Sequence, residues 1–501
     1  MQTGERYLAI DLGAESGRAV LGTLADGRVE LKDVHRFANT PVRVLDGLHW
    51  DVLELWQQIK RALSHVAAGE GRELSGVSLD TWGVDFALSD KNGALLGLPH
   101  HYRDSRTDGV IDDLQRHISE WDLYAQTGLP FMPITTLCQL EAMRRQGSPA
   151  LAAAHALLMM PDLFLYWLSG RRVTESTIAG TTQFFDVTRR RWIPDLLTMM
   201  GLPEHLPGET IPTATVLGTL LPSVARETGL AEAPVIAAAS HDTAAAAALA
   251  PEGECFISSG TWSIVGALLD QPVLTPQALG KHFCNEIGPC GKTMFVHNGT
   301  GLWPLQECRR EWLARGHDWS YADLTEMAGR ARPFSTIINL DDDAFLRPGD
   351  MLSRIAGYCS RTGQEPPGDP GSTVRSLIEG LVLYYRGAVA DLEELTGKPS
   401  TAIQIMGGGS RNRLICQWTA DATGRPVIAG PAEATATATI LLQALARGSL
   451  SSLADIRQVA VTSSPPLLYP HPSPAWDDAY GRFLDMTGFG CEKVRGLEIP
   501  G

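Results

Sequence analysis

The sequence predicts an α/β protein made of two related lobes facing a cleft. Three observations carry this. The chain has 501 residues, enough for about three ordinary domains or two large lobes. A strand, a glycine-containing turn and a second strand read across 7–24, and the same pattern returns at 254–266: IDLGAESGRAVLG beside ISSGTWSIVG. Finally, two apolar strands each run into small or acidic residues and then a helix, at 233–243 and 401–412. A pattern that returns once, far along the chain, fits two related lobes and not a solenoid, whose repeats are short.

Each element follows in order. Tyr7–Gly13 is a short apolar run that stops at glycine, and Ala19–Leu24 resumes it. The six residues GAESGR between them exceed a tight hairpin's need and predict a backbone shaped to wrap a ligand. Across 51–67, Leu53, Trp56, Ile59, Leu63 and Val66 fall at helical spacing behind Asp51, a good N-cap. Leu74–Leu79 reads as a strand ending in Asp80-Thr-Trp-Gly83-Val-Asp85. The region 100–230 is mixed and mostly helical. Ala233–Ala239 is a buried strand that ends at Ser240-His241-Asp242-Thr243 and enters an alanine-rich helix. Thr401–Met406 is a strand running into Gly407-Gly408-Gly409, with a helix from about Asn412, and 373–396 form a long amphipathic helix. The lobes divide near residue 245, into 1–245 and 246–490.

Composition narrows the function. Hydrophobic residues make up 44% and charged residues 20%, a packed soluble protein rather than a disordered one. Net charge is −15, from 42 Lys+Arg against 57 Asp+Glu, which excludes a general nucleic-acid binder. Eight scattered cysteines without a CxxC exclude a disulfide scaffold and a zinc ribbon. The amino terminus is broken by Asp11 and is no signal peptide. The apolar stretch 151–170 is interrupted by His155, Pro161 and Asp162, so no membrane span is expected. A cytoplasmic protein is the default.

Glycine turns after strands can present several N–H groups to phosphate oxygens. Such turns lie at 13–17, 260 and 407–409. Together they predict a nucleotide cleft. The alternatives fail on spacing: Glu286 stands where a P-loop ending in Gly291-Lys292-Thr293 needs its first glycine, and GxGxxG, HExxH and GxSxG are absent. Asp242 follows a buried strand, where α/β sheets bind ligands; it is either a general base or a helix N-cap. An ordinary Asp, with a pKa of about 4, is ionised at neutral pH. Asp11 either holds a Mg²⁺-bound water next to phosphates or caps its turn. The consecutive acids Asp341–Asp343 read as a solvated loop.

At this point the residues resemble the FGGY family of carbohydrate kinases. The segments are AIDLGAESGR, LDTWGVDFAL, YRDSRT, TGLPFMPITTLCQL, MMPDLFLYWLSG, ASHDTAAA, ISSGTWSIVG, HNGTGLWPLQ and IMGGGSRN, in family order from residue 9 to residue 412. The resemblance implies two ribonuclease-H-like lobes of actin/hexokinase type flanking a catalytic cleft, a sugar-binding lobe over 1–245 and a nucleotide-binding lobe over 246–490. It implies transfer of the ATP γ-phosphate to the 1-hydroxyl of L-rhamnulose, with Mg²⁺. By motif, Ala14, Glu15, Ser16, Gly17 and Arg18 would form the first phosphate loop. Thr261, Gln306 and Gly408 would also contact ATP. Gly83, His241, Asp242, Thr243 and Asn298 would line the sugar pocket, Gly83 by leaving room for a sugar carbon. Asp242 would accept the proton, and Asp11 would sit near the metal.

The chain departs from that pattern. Relatives commonly carry Ser where Glu15 stands, making this loop more acidic. A late Gly-Asn is replaced within Glu433-Ala-Thr-Ala-Thr-Ala-Thr439. The cysteine pairs of some members cannot form, because Ser376 would face Cys359 and Thr419 and Thr423 replace the other pair. A kinase for another ketose, L-fuculose or L-xylulose, and a non-catalytic nucleotide-dependent sugar sensor are the competing readings. Expected partners are the ketose and ATP alone, with neither nucleic acid nor membrane, in a monomer or homodimer.

Overall fold

The structure, a computed structural model, describes residues 4–347, 349–470 and 475–487. Cys491 and residues 471–474 and 488–490 of the second expected lobe lie outside the described residues.

Two sheets organise the chain. The first contains β1 (Glu5–Leu12), β2 (Ser16–Ala25), β3 (Arg28–Ala38), β4 (Gly76–Thr81), β5 (Thr215–Thr219) and β6 (Pro234–Ala237), in the order β5-β6-β4-β1-β2-β3. The second contains β7 (Cys255–Ser259), β8 (Trp262–Leu269), β9 (Phe283–Ile287), β10 (Thr293–Thr300), β11 (Ile403–Met406), β12 (Val427–Ala429) and β13 (Leu467–Tyr469). Its order is β9-β10-β8-β7-β11-β12-β13. With β9 set aside, the orders coincide: an antiparallel three-strand meander, two parallel strands added beside its first strand, and an antiparallel edge. The repeat seen in two hairpins thus extends through six strands of each sheet.

Local sequence explains the elements that position the cleft. The helix α1 (Val52–Gly69) is capped by Asp51, whose side chain accepts from the Glu54 N–H, and buries Ile59, Leu63 and Val66 as expected. Leu53 instead points outward, 59% exposed, and Val52, Leu55 and Ala62 complete the buried stripe. The turn after β1 is shorter than the six residues expected. Leu12 pairs with Gly17 and Asp11 with Arg18, so Gly17 and Arg18 belong to β2. Gly17 is required there because a Cβ would lie 2.3 Å from the Phe37 ring.

The helix α2 (Asp242–Ala247) leaves β6. In the second half follow α3 (Trp303–Ala314), α4 (Pro370–Thr396), α5 (Arg413–Thr423) and α6 (Ala434–Ala446). The helix α4 is not one-sided: Leu377, Leu381, Tyr384 and Tyr385 are buried with Arg375 and Glu379, a charge pair at 2.7 Å. It is the central rod of the second core.

One core cluster joins the two sheets. It contains Tyr7, Ala9 and Val20 of the first sheet and Phe256, Met294, Val296 and Met406 of the second, with the alanine faces of α2 and α6 between them. Small side chains let α6 seat closely on the first sheet. A Cβ on Gly22 would lie 2.6 Å from Ile440, and Gln443 donates to the Leu8 carbonyl at 3.1 Å. The described cysteines are all free, as expected. No described helix is long and apolar enough to cross a membrane.

Candidate functional site

The carboxyl ends of β1, β4 and β6 bring three acids together. Asp11 and Asp80 are register partners on adjacent strands, and Asp242 is the first residue of α2. The cap position belongs to His241, so Asp242 does not cap the helix. Its Oδ1 accepts from the Thr243 N–H at 2.6 Å and from the Thr243 hydroxyl at 3.2 Å. Burial, and then the negative charge of Asp11, push its carboxyl up to about 7. The ordinary value near 4 expected from residue type is therefore corrected by crowding. Asp80 is fully buried; burial first and Asp11 second push it well above the carboxylate range. Thr439 donates to Asp80 Oδ2 at 2.7 Å, while Oδ1 has no hydrogen-bond partner among the described residues.

Asp11 is held from one side by Arg18, at 3.0 Å from Nε and 2.8 Å from Nη2. Arg18 also pairs with Glu433, which accepts a second pair from Arg411. The segment that departs from the family pattern thus ties the two halves together at the mouth of the cleft. Glu15 is answered too: Arg310 on α3 pairs with it at 3.1 Å. In the same turn Ala14 is half-buried and Ser16 exposed, and the Gly13 N–H donates to the Ser16 carbonyl at 2.9 Å.

Across the cleft, the turn between β7 and β8 carries Thr261. Gln306 donates to its hydroxyl at 3.1 Å. The glycine run after β11 lies against the same turn: a Cβ on Gly409 would strike the Ser259 hydroxyl at 2.0 Å, and Gly407 has φ +78. Around Gly408 there is open space. Thr261, Gln306 and Gly408 therefore stand around one turn. Trp262, 42% exposed, meets Arg103 of the first half at 5.5 Å, and Arg103 also lies 5.4 Å from Trp303.

Gly83 follows β4, but its missing side chain has a different reason from the one expected. A Cβ there would lie 2.9 Å from Thr181, whose hydroxyl accepts from the Val84 N–H at 3.0 Å. Beyond it, Asp85 is buried and collects donors from Trp50, Trp82, Gln139 and the Tyr102 N–H.

His241, Asp242 and Asn298 stand near Glu286, which in sequence is conspicuous as a mismatch to the P-loop pattern. Glu286 on β9 places Oε2 3.5 Å from His241 Nδ1, and His241 Nε2 lies 3.6 Å from Asp242 Oδ1. Burial raises the Glu286 carboxyl, against His241 and the Asn298 side chain, which favour its charged form. Sequence offered one further signal, an acid next to Asn285 inside a short strand with apolar ends, FCNEI.

The acids suit a hard cation, since all donors are oxygen. Among the described residues no group of three or more His, Cys, Asp or Glu side chains is disposed to hold a metal unaided. A Mg²⁺ ion here would need water and substrate phosphate oxygens among its ligands. The loop Asp341–Asp343 takes structural roles: the Thr300 N–H donates to Asp341 at 2.5 Å and the Ala344 N–H to Asp342 at 3.0 Å.

Comparison with known proteins follows this geometry. Residues 6–248 match the N-terminal domain, and residues 255–447 the C-terminal domain, of the FGGY family of carbohydrate kinases. The chain is 40% identical to a rhamnulokinase of Bacteroides thetaiotaomicron, over 96% of this chain and 99% of that one. It is 35% identical to a rhamnulokinase of Oceanobacillus iheyensis, over 90% and 95%. Among solved structures, a gluconate kinase from Lactobacillus acidophilus superposes with a TM-score of 0.80 at 16% identity, over 97% of this chain and 99% of that one. At that identity the likeness establishes the two-lobed fold alone.

Proposed function

The chain belongs to the FGGY family of carbohydrate kinases, and from that premise we infer that it transfers the γ-phosphoryl group of ATP to the 1-hydroxyl of L-rhamnulose. The observation that carries the chemistry is Asp242. It stands at the carboxyl end of β6 with Oδ1 anchored by Thr243. Its crowded carboxyl titrates near neutrality, where a general base works best.

The ketose lies against His241, Asp242, Thr243 and Asn298, with Gly83 shaping the wall through Thr181. Asp242 takes the proton of the 1-hydroxyl as its oxygen bonds to the γ-phosphorus and ADP leaves. Ala14, Glu15, Ser16 and neighbouring backbone face the phosphates from one lobe, and Thr261, Gln306 and Gly408 from the other. Gly17 and Arg18 act behind the loop, Arg18 by fixing Asp11. Asp11 would hold Mg²⁺, which would supply charge neutralisation for the transferring group. Positioning and charge stabilisation are what phosphoryl transfer asks of a protein.

We place the protein in the cytoplasm, as a monomer or homodimer, with lobes dividing near residue 245. The relatives' names favour L-rhamnulose over L-fuculose or L-xylulose. A coupled ADP-release screen over a panel of ketoses tests this: L-rhamnulose should give the highest kcat/KM, with phosphate on the 1-oxygen. A better polyol substrate such as glycerol, or phosphate on another oxygen, defeats it.

A further inference from the structure

The reaction as described uses His241 and Asp242 but leaves Glu286 without a task. Glu286 lies on β9 of the second sheet, while His241 ends the β6 crossover of the first, so the contact spans the two halves. Glu286 is 8% exposed and His241 9%. His241 Nδ1 and Glu286 Oε2 are both buried, and neither atom has a hydrogen-bond partner among the described residues, while the Asn298 side chain bonds the Glu286 carboxyl. The two atoms face each other at 3.5 Å, while the opposite ring nitrogen of His241 faces Asp242 Oδ1 at 3.6 Å. Two orphaned buried polar atoms in mutual reach form one interaction, because leaving both unmade costs each its desolvation.

We propose that Glu286 is a positioning residue: it carries a proton, donates it in a hydrogen bond to His241 Nδ1, and so fixes His241 as the Nε2–H tautomer that donates to Asp242 Oδ1. The orientation is dictated at the far end. An ionised Asp242 only accepts hydrogen bonds, so the nitrogen facing it must bear the hydrogen. Neutral imidazole then has a bare Nδ1, which requires a donor, and the carboxylic acid of Glu286 supplies it. Burial is the largest influence on each partner, raising Glu286 and lowering His241, and it outweighs the pair's own attraction and the Asn298 side chain, which act the other way. With Thr243 and His241 both on Oδ1, the second oxygen of Asp242 is left for the sugar hydroxyl. The lobe that would hold ATP thereby aligns the base in the lobe that would hold sugar.

This inference rests on the reading of the cleft as a ketose site, and its test separates the two. Nitrogen NMR of ¹⁵N-histidine-labelled wild-type protein, without ligands, should show His241 neutral with hydrogen on Nε2; the signal is assigned by its loss in His241→Gln. Glu286→Gln retains a donor and should keep kcat for the best ketose within about threefold. Glu286→Met removes the donor at similar size and should lower kcat at least ~10-fold through misplacement of the base, with KM for ATP within about twofold. A wild-type Nδ1–H tautomer or imidazolium overturns the proposal. So does equal loss in the Gln and Met variants, or no loss in Met. If Glu286→Met fails to fold, the wild-type tautomer and the Gln variant decide. Failure of wild-type protein to phosphorylate any ketose would strike the functional reading instead and leave the tautomer result standing.

Discussion

Thr439 donates its hydroxyl to Asp80 Oδ2 at 2.7 Å, although the two are 359 residues apart in the chain. The bond runs from α6, which follows the last parallel strand of the second sheet, to the floor of the first. It fastens the helix beneath the acid cluster.

Asp242→Asn keeps the shape of the side chain and removes its basicity. Steady-state kinetics should show kcat lowered by at least ~10²-fold, the scale of a general base, with ATP affinity little changed. Near-normal turnover would remove Asp242 from that role.

Burial and the charge of Asp11 raise the Asp242 carboxyl to about 7. The working form is the carboxylate, so kcat/KM for the ketose should rise as pH climbs through about 7 and level off above it. Asp11→Asn removes a like charge, so the inflection should move to lower pH when measured at saturating Mg²⁺. A profile flat from about pH 5 to 9 would contradict the assignment.

Transfer should stop in EDTA and return with Mg²⁺ or Mn²⁺, because no Walker lysine neutralises the γ-phosphate. Asp11→Ala should raise the metal concentration needed for half-activation. Full activity in EDTA is the opposing result.

Glu15 and Arg310 form a half-exposed pair, with side-chain exposures of 45% and 52%. Glu15→Ser should shift stability by less than ~1 kcal/mol. The same change removes one negative charge from the turn proposed to face the phosphates. KM for ATP should fall up to ~5-fold at low salt, the scale of one charge at close range in water. The gain should fade as ionic strength rises. An unchanged KM at low salt would place the Glu15 charge away from the nucleotide.

Much of this was legible in sequence because it is local. Asp51 caps the helix it precedes, the hairpin strands fall where the apolar runs stand, and the glycine runs mark their turns. What was hidden depends on partners distant in the chain. Gly83 is small because of Thr181, Gly17 because of Phe37, and the Asp242 carboxyl is raised by Asp11. Glu286 Oε2 faces His241, which stands at the end of another sheet. The six-residue turn was misjudged because Gly17 and Arg18 look like loop residues, yet pair across the hairpin.

The alanine faces of α2 and α6 have a mechanical consequence. Alanine has no side-chain rotamer to rearrange, so helices that meet through it can slide or pivot without locking one against the other. Resistance to turning therefore falls on a few points: Arg18 with Glu433 near the surface, Thr439 with Asp80 in the interior, and Ile440 seated against Gly22.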